Sequence, residues 1–494
     1  MIYNFNLGIG WASSGVEYAQ IYRAKLFRRL GQDAKFIFTD MFSQENIEHY
    51  TKNIGFLDSE IIWLYTYFTN IKIAPVIYQL SDFEKTFSQT KYTKTREGKI
   101  VRYYFEGEGN FCTAYMVDEK SEKVHRIEIV VKGFLIQKDY FTYVKVYSEY
   151  YAPVENKAHL YHRRFFNEDG SIAYEEIIHN GTSIYRFSDK ILCSKEELIG
   201  YMVSKLKLNS DDLVIIDRAK GIGQAILENA YSAKKAMVVH AEHYNVERSN
   251  QDYILWNNFY EYPFMMHKHI DFYIMSTELQ KQYLINQFQK YKNVKGNVYA
   301  IPVGSIDQLK YPKSNRKPYS LITASRLASE KHIDWIIHAV VEAHKINDKI
   351  TFDIYGKGKE EQTLQRLIES KKAQDYIQLK GHRNLENIYE EYEAYISAST
   401  SEGFGLTLME AVGSGLPIIG FDVPYGNPTF IKDGKNGFLI SYTDLEEEKK
   451  KINALKEKII DLFNQDLKSF HENSYEIAKK YLTKEVEKKW REIL

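Results

Sequence analysis

The chain is poor in cysteine, in net charge and in long apolar runs, and each shortage excludes something. Two cysteines among 494 residues, Cys112 and Cys193, cannot build a zinc cluster and need not form a disulfide. The 66 Lys and Arg balance 66 Asp and Glu, which argues against general affinity for nucleic acid or membrane. No apolar stretch approaches the roughly 20 residues that span a bilayer. The start, Met1-Ile-Tyr-Asn-Phe-Asn-Leu7, lacks the basic-then-apolar pattern of a secretory signal. The expected location is therefore cytoplasmic, with any membrane contact peripheral, at the inner face. Internal repeats and low-complexity tracts are also missing. Tryptophan is scarce, at 5, whereas tyrosine is abundant: 40 residues against 27 Phe. Apolar residues at 44% and charged residues at 27% are ordinary globular levels and exclude wholesale disorder.

The length allows two or three domains. Ile2–Phe5 reads as a short buried strand, followed by a glycine-rich loop, Leu7-Gly-Ile-Gly-Trp-Ala-Ser-Ser-Gly15. Apolar residues at helical spacing (Val16, Ala19, Tyr22, Leu26, Leu30) then run to Gly31, and a second strand follows at 35–39. This is a βαβ unit and implies a parallel sheet. Between about residues 91 and 189 aromatic and β-branched runs alternate with turn signals, Asp169-Gly170 and Asn180-Gly181 among them, which predicts an antiparallel β-meander inserted in the first α/β domain. Of the 96 residues from Tyr92 to Phe187, 12 are Tyr and 7 are Phe, a local excess of aromatics. Parallel patterning resumes at 213–216, 236–239, 272–275 and 298–301, and after a linker near 305–318 a second run follows at 320–323, 350–354, 377–379, 394–396 and 417–420. The expected fold is α/β, with two facing, doubly wound Rossmann-like domains. Their ligands should bind outside the carboxyl ends of the strands, in the cleft between them.

Thr400-Ser-Glu402-Gly-Phe-Gly405-Leu-Thr-Leu-Met-Glu410 carries the strongest chemical signal. Small polar residues and glycines leading into an amphipathic helix free several N–H groups and aim the positive helix end at a ligand, which suits an anion or sugar hydroxyls. Arg326 and Lys331 follow the first strand of the second domain. At that spacing both can reach a diphosphate, Arg as a fork and Lys as a point charge. Gly381-His382-Arg383 supplies another glycine-bearing strand end on the same edge. Any one of these features alone would be an ordinary turn or a solvated charge.

Together, Glu402 and Glu410 at their spacing, Arg326, Lys331 and the loop ending at Gly15 resemble the retaining GT-B glycosyltransferases of the family-4 type. The opening residues and the Tyr-rich insert are similar, more narrowly, to the protein O-GlcNAc transferases of the bacterial accessory-Sec locus. That resemblance implies a UDP-GlcNAc donor bound by Ser13, Ser14, Gly15 and Val16 at the diphosphate, with Arg326 and Lys331 neutralising the phosphates. It places His382 and Arg383 at the uracil, and Glu402 with Gly403, Phe404, Gly405 and Leu406 at the sugar. Glu410 goes to the ribose, and His240, with His243 the other candidate, contacts the transferred sugar. Glu402, His240, Arg326 and Lys331 are the catalytic set it implies. It also implies GlcNAc transfer with retention to Ser/Thr of a serine-rich-repeat adhesin before export. A GtfB-like, catalytically silent subunit would be the partner, and the insert would be the acceptor and partner surface. The domains it implies are 1–90 with 190–304 on the acceptor side, the insert at 91–189, and 305–474 for the nucleotide sugar, with the helix 475–494 returning to the first domain. No Asp-x-Asp tripeptide occurs, and metal independence is expected, with Arg326 and Lys331 in the metal's place. The alternatives are a teichoic-acid α-GlcNAc transferase, which would favour a basic groove, and a non-catalytic acceptor-binding subunit, which would be expected to have lost the donor-site residues. A dehydrogenase is disfavoured because Gly8-Ile-Gly10 lacks the third glycine at the required offset.

Overall fold

Short, buried, β-branched and aromatic strands set the parallel architecture. In the computed structural model, which describes residues 1–10 and 15–494, Ile2–Asn6 pairs in parallel with Ala34–Phe38, and that strand with Ile61–Trp63. On its other side Ile2–Asn6 pairs with Leu213–Ile216, which in turn pairs with Lys234–Val239. The order therefore reverses between Ile2–Asn6 and Leu213–Ile216, and a crevice opens where the loops leaving the two strands part. The helix Gly15–Leu30 follows the glycine-rich loop. A buried polar network anchors it: Arg23 donates to both Asp217 carboxylate oxygens at 2.9 Å and to Asn4 Oδ1 at 2.9 Å, and Gln20 donates to Asp217 Oδ2 at 2.8 Å. Burying such a pair is tolerable because the carboxylate and guanidinium satisfy each other in two-pronged geometry.

The predicted insert is a ten-stranded antiparallel meander from Tyr92–Glu97 to Ile191–Leu192, in consecutive order. Its turn chemistry is the one the sequence advertises: Asn180 and Gly181 both take positive φ, 47° and 77°, the conformation a two-residue hairpin turn requires. The tyrosines are chiefly packing. Of the twelve in this stretch, Tyr103, Tyr140, Tyr147, Tyr174 and Tyr185 are buried, and Tyr92, Tyr104 and Tyr161 are exposed. Stacked rings run from Tyr65 through Phe165 and Tyr174 to Phe187, with centroids 5.7, 4.5 and 4.8 Å apart, and such pairs add about 0.5–1.5 kcal/mol each beyond area burial. The hydroxyls finish the seam: Tyr174 donates to Tyr65 O at 2.8 Å and Tyr147 to Phe42 O at 3.0 Å. Cys112 is buried in the meander, its thiol pushed up to about 11 by desolvation, and Cys193 is exposed; neither is bonded.

By contact the chain forms two units, residues 1–237 with 258–271, and residues 238–257 with 272–494. The sequence predicts that 190–304 belongs to the first α/β domain, and the strands Phe272–Met275 and Val298–Ala300 within that range are part of the seven-stranded sheet that contains Ile2–Asn6. Two glycines mark close packing inside the second unit. A Cβ on Gly403 would lie 2.3 Å from His240 O, and one on Gly304 would lie 2.4 Å from Leu406 Cδ2. The terminal helix Thr483–Arg491 meets the same segment, Lys489 donating to Ala300 O at 3.0 Å. The second unit holds a six-stranded parallel sheet in the order Ile377–Gly381, Thr351–Tyr355, Ser320–Ala324, Ala394–Ser397, Ile418–Phe421, Gly437–Ile440. Its last strand has no counterpart in the sequence reading. Leu321, Ile336, Val340, Ile354, Ile377 and Ile396 centre the core beneath it.

Candidate active site

The second sheet also reverses its order. From Ser320–Ala324 the chain moves outward to Thr351–Tyr355 and Ile377–Gly381, then returns to pair Ala394–Ser397 on the other side, Leu321 opposite Ala394. The loops after Ser320–Ala324 and Ala394–Ser397 therefore flank the crevice, and they are the loops that carry Lys331 and Glu402. The two meet there. Lys331 Nζ donates to Glu402 Oε2 at 2.7 Å and to Ser399 Oγ at 2.9 Å, with side chains 17% and 21% exposed. Among the described residues Glu402 Oε1 accepts no hydrogen bond, so the carboxylate keeps capacity for a ligand hydroxyl.

Backbone constraints hold Glu402. Its carbonyl accepts from Tyr425 N at 2.7 Å and Gly426 N at 2.8 Å. Gly405, at φ 85°, is the N-cap of the helix Leu406–Gly413, a left-handed conformation that explains glycine there. Among the described residues no side chain caps this helix, so its first N–H groups face the loop without a side-chain acceptor there. Tyr395 ties the two flanks: its hydroxyl donates to Ala324 O at 3.0 Å and lies 3.0 Å from Thr407 Oγ1, and burial raises its pKa to about 12. Glu410, in the second turn, accepts from Tyr389 at 3.1 Å.

The other predicted residues differ in their exposure and partners. Arg326 is 64% exposed and pairs with Glu330 at 3.2 Å, leaving most of its fork open. His382 and Arg383 are exposed at the end of Ile377–Gly381, with Arg383 Nε donating to Lys380 O at 3.2 Å. His240 is half-buried just beyond Lys234–Val239, its carbonyl against Gly403. His243 is wholly buried. Its Nε2–H donates to Gln287 Oε1 at 2.7 Å and its Nδ1 accepts from the Tyr425 hydroxyl at 3.0 Å, an assignment that follows from those partners; burial lowers its pKa to about 4, so the ring is neutral. Of the two candidate histidines, His240 is the one with an open side. Gly15 and Val16 begin a helix in the other unit. Ser13 and Ser14 lie outside the described residues. Tyr389, Tyr395, Ser399, Tyr425 and Gln287 were missed by sequence reasoning; isolated polar side chains without a motif carry no signal of their partners. Among the described residues no three His, Cys, Asp or Glu side chains converge as a metal site would require.

Comparison with known proteins places the chain in a family. Residues 306–477 match the family "Glycosyl transferases group 1" and residues 93–189 match "GtfA extended beta-sheet domain". The fold is GT-B, and the protein is a member of the glycosyltransferase class. The chain is 54% identical to the UDP-N-acetylglucosamine–peptide N-acetylglucosaminyltransferase GtfA subunit of Streptococcus gordonii, covering 100% of this chain and 98% of that one. The pneumococcal O-GlcNAc transferase GtfA, solved with UDP and GlcNAc, superposes with a TM-score of 0.95 at 52% identity, covering 99% of this chain and 97% of that one. The GtfA/B complex gives a TM-score of 0.94 at 54% identity, covering 100% and 98%. The chain belongs to the GtfA subunit family of UDP-N-acetylglucosamine–peptide N-acetylglucosaminyltransferases.

Proposed function

We propose that this chain transfers N-acetylglucosamine from UDP-GlcNAc to a Ser or Thr hydroxyl of a peptide acceptor, with retention of configuration. The observation that carries the reading is the Lys331–Glu402 pair at the reversal point of the second sheet, on a chain that aligns end to end with GtfA subunits. Arg326 and Lys331 neutralise the diphosphate and the charge that grows on it as the bond to C1 breaks, which is stabilisation specific to the transition state. Glu402 and the amides of the Gly403–Leu406 stretch hold the sugar, and Glu410 holds the ribose. His240 contacts the transferred sugar, and His382 with Arg383 borders the base. The diphosphate also draws on Gly15, Val16, Ser13 and Ser14. The acceptor oxygen attacks C1 from the face that UDP leaves, the C1–O electron pair departs with UDP, and the acceptor proton passes to a phosphate oxygen.

The cations serve where other glycosyltransferases use a divalent metal, so the reaction is metal-independent. The GtfA/B complex of a relative supports a GtfB-like partner subunit, and the meander is the surface we assign to that partner and to the acceptor. The acceptor we assign is a serine-rich-repeat adhesin, modified in the cytoplasm before export. No helix among the described residues is long and apolar enough to cross a membrane, so contact at its inner face would be peripheral.

The test is incubation with UDP-GlcNAc, with and without EDTA, against a Ser-rich peptide and poly(ribitol phosphate), read by mass spectrometry. A GlcNAc mass added to the peptide in both conditions is the expected result. Modification of the polymer alone would overturn the acceptor class, and full loss with EDTA would overturn metal independence.

A further inference from the structure

Every backbone carbonyl from His240 to His243 is braced from within the second unit. His240 O lies against Gly403, where even a Cβ would come within 2.3 Å. Ala241 O accepts from Gln280 Nε2 at 2.8 Å, Glu242 O from Asn257 Nδ2 at 3.0 Å, and His243 O from Asn257 N at 3.0 Å. The His243 ring extends the bracing to the loop of Glu402. Tyr425, 1% exposed, gives its hydroxyl to His243 Nδ1 at 3.0 Å and its own amide to Glu402 O at 2.7 Å. Gln287 holds the far side of the ring at 2.7 Å. One buried tyrosine thus hydrogen-bonds both to the segment that presents His240 and to the residue that presents a carboxylate to the sugar. Tyr425 and His243 themselves are fully enclosed, so neither is placed to touch a substrate.

From this geometry we infer that the Gln287–His243–Tyr425 chain is a positioning relay that sets the spacing between His240 and Glu402. The inference rests on the glycosyltransferase reading for what that spacing serves. Its consequence is specific. Removing the Tyr425 hydroxyl relaxes the two flanks independently and costs transition-state contacts to the sugar, while the nucleotide contacts of Arg326, His382 and Arg383, which come from other loops, persist. Neutral His243 suits the role, since a protonated ring would have no acceptor for the tyrosine hydroxyl.

Tyr425→Phe removes one oxygen and keeps the ring, so the core stays filled. In this variant kcat for GlcNAc transfer should fall roughly ten- to a hundredfold, the range that small misplacements produce, while UDP affinity by calorimetry stays within about twofold. Combining it with His243→Leu should cost no more than the larger single change, because both break one chain. Hydrogen exchange should show faster exchange at the amides of Tyr425, Gly426 and Asn257 in either variant. Unchanged kcat, UDP affinity falling in step with kcat, losses that multiply, or unchanged exchange would each overturn the relay. If the unmodified protein transferred no GlcNAc to any acceptor, the functional reading would fail, and the exchange measurement would still decide the relay.

Discussion

Two carboxylate–cation clusters, one in each unit, use the same ingredients to opposite ends. In the meander, Arg163 Nε donates to Glu149 Oε1 at 2.9 Å and its Nη1 to Glu176 Oε2 at 2.8 Å. Tyr140 and Tyr151 close the remaining Glu149 oxygen at 2.8 and 2.6 Å, and Ser183 closes Glu176 at 2.6 Å. Glu149 and Glu176 are 2% exposed. At the reversal point of the second sheet, Lys331 and Glu402 also pair, but with side chains 17% and 21% exposed and with one carboxylate oxygen unfilled among the described residues. A buried cluster with every carboxylate oxygen answered specifies packing. A half-open pair with spare capacity at a sheet reversal is poised to exchange partners with a ligand. Charge composition does not separate the two; saturation does.

That contrast can be broken or sharpened by experiment. The largest effect should come from Arg163→Met, which strands Glu149 and Glu176 without their cation. A loss of about 3–5 kcal/mol of stability is expected, as for other broken buried pairs, and thermal or urea unfolding measures it. A variant as stable as the parent would show the meander cluster to be dispensable. Glu402→Gln should do the reverse: melting unchanged, but transfer down about 10²–10³-fold, the range for losing one preorganised transition-state contact, measured by steady-state kinetics. Retained transfer would argue against its placement at the sugar.

The smallest effect concerns pH. His243 is neutral when folded, with its pKa lowered to about 4, and returns to its ordinary 6.5 on unfolding. Between these values the unfolded chain binds the extra proton, so this residue's contribution falls as pH drops from about 6.5 toward about 4. Melting curves at stepped pH should therefore decline less steeply on the acid side for His243→Asn than for the parent. Equal slopes would contradict the buried, neutral assignment.

Much of the fold was legible because its signals are local. The glycine-rich loop before Gly15–Leu30, the runs at 320–324 and 394–397, and the turn at Asn180-Gly181 each follow from neighbours in sequence, through periodicity, buried β-branched runs and positive-φ preference. Ile61–Trp63 and Gly437–Ile440 carry a weaker signal: the first runs without a turn residue into Leu64-Tyr65, and the second opens on a glycine, a residue depleted in strands. The tyrosine excess pointed to a surface for partner and acceptor; five of the twelve rings are buried, with Tyr147 and Tyr174 hydrogen-bonded across the seam to Phe42 and Tyr65. Composition reports how many rings there are and not which way they face.

Backbone preference and side-chain period act over a few residues, and they suffice to set the alternation of strands and helices, the inserted meander, and the spacing that puts Glu402 in a loop and Glu410 one turn into a helix. Folding in three dimensions is what pairs Lys331 with Glu402, 71 positions away, leaves His240 half-buried while His243 is enclosed, and lets Tyr425 join the two loops. Those facts depend on which strands become neighbours across a reversal in sheet order and on which glycines let two backbones touch. They are properties of packing between distant segments, and no local pattern records them.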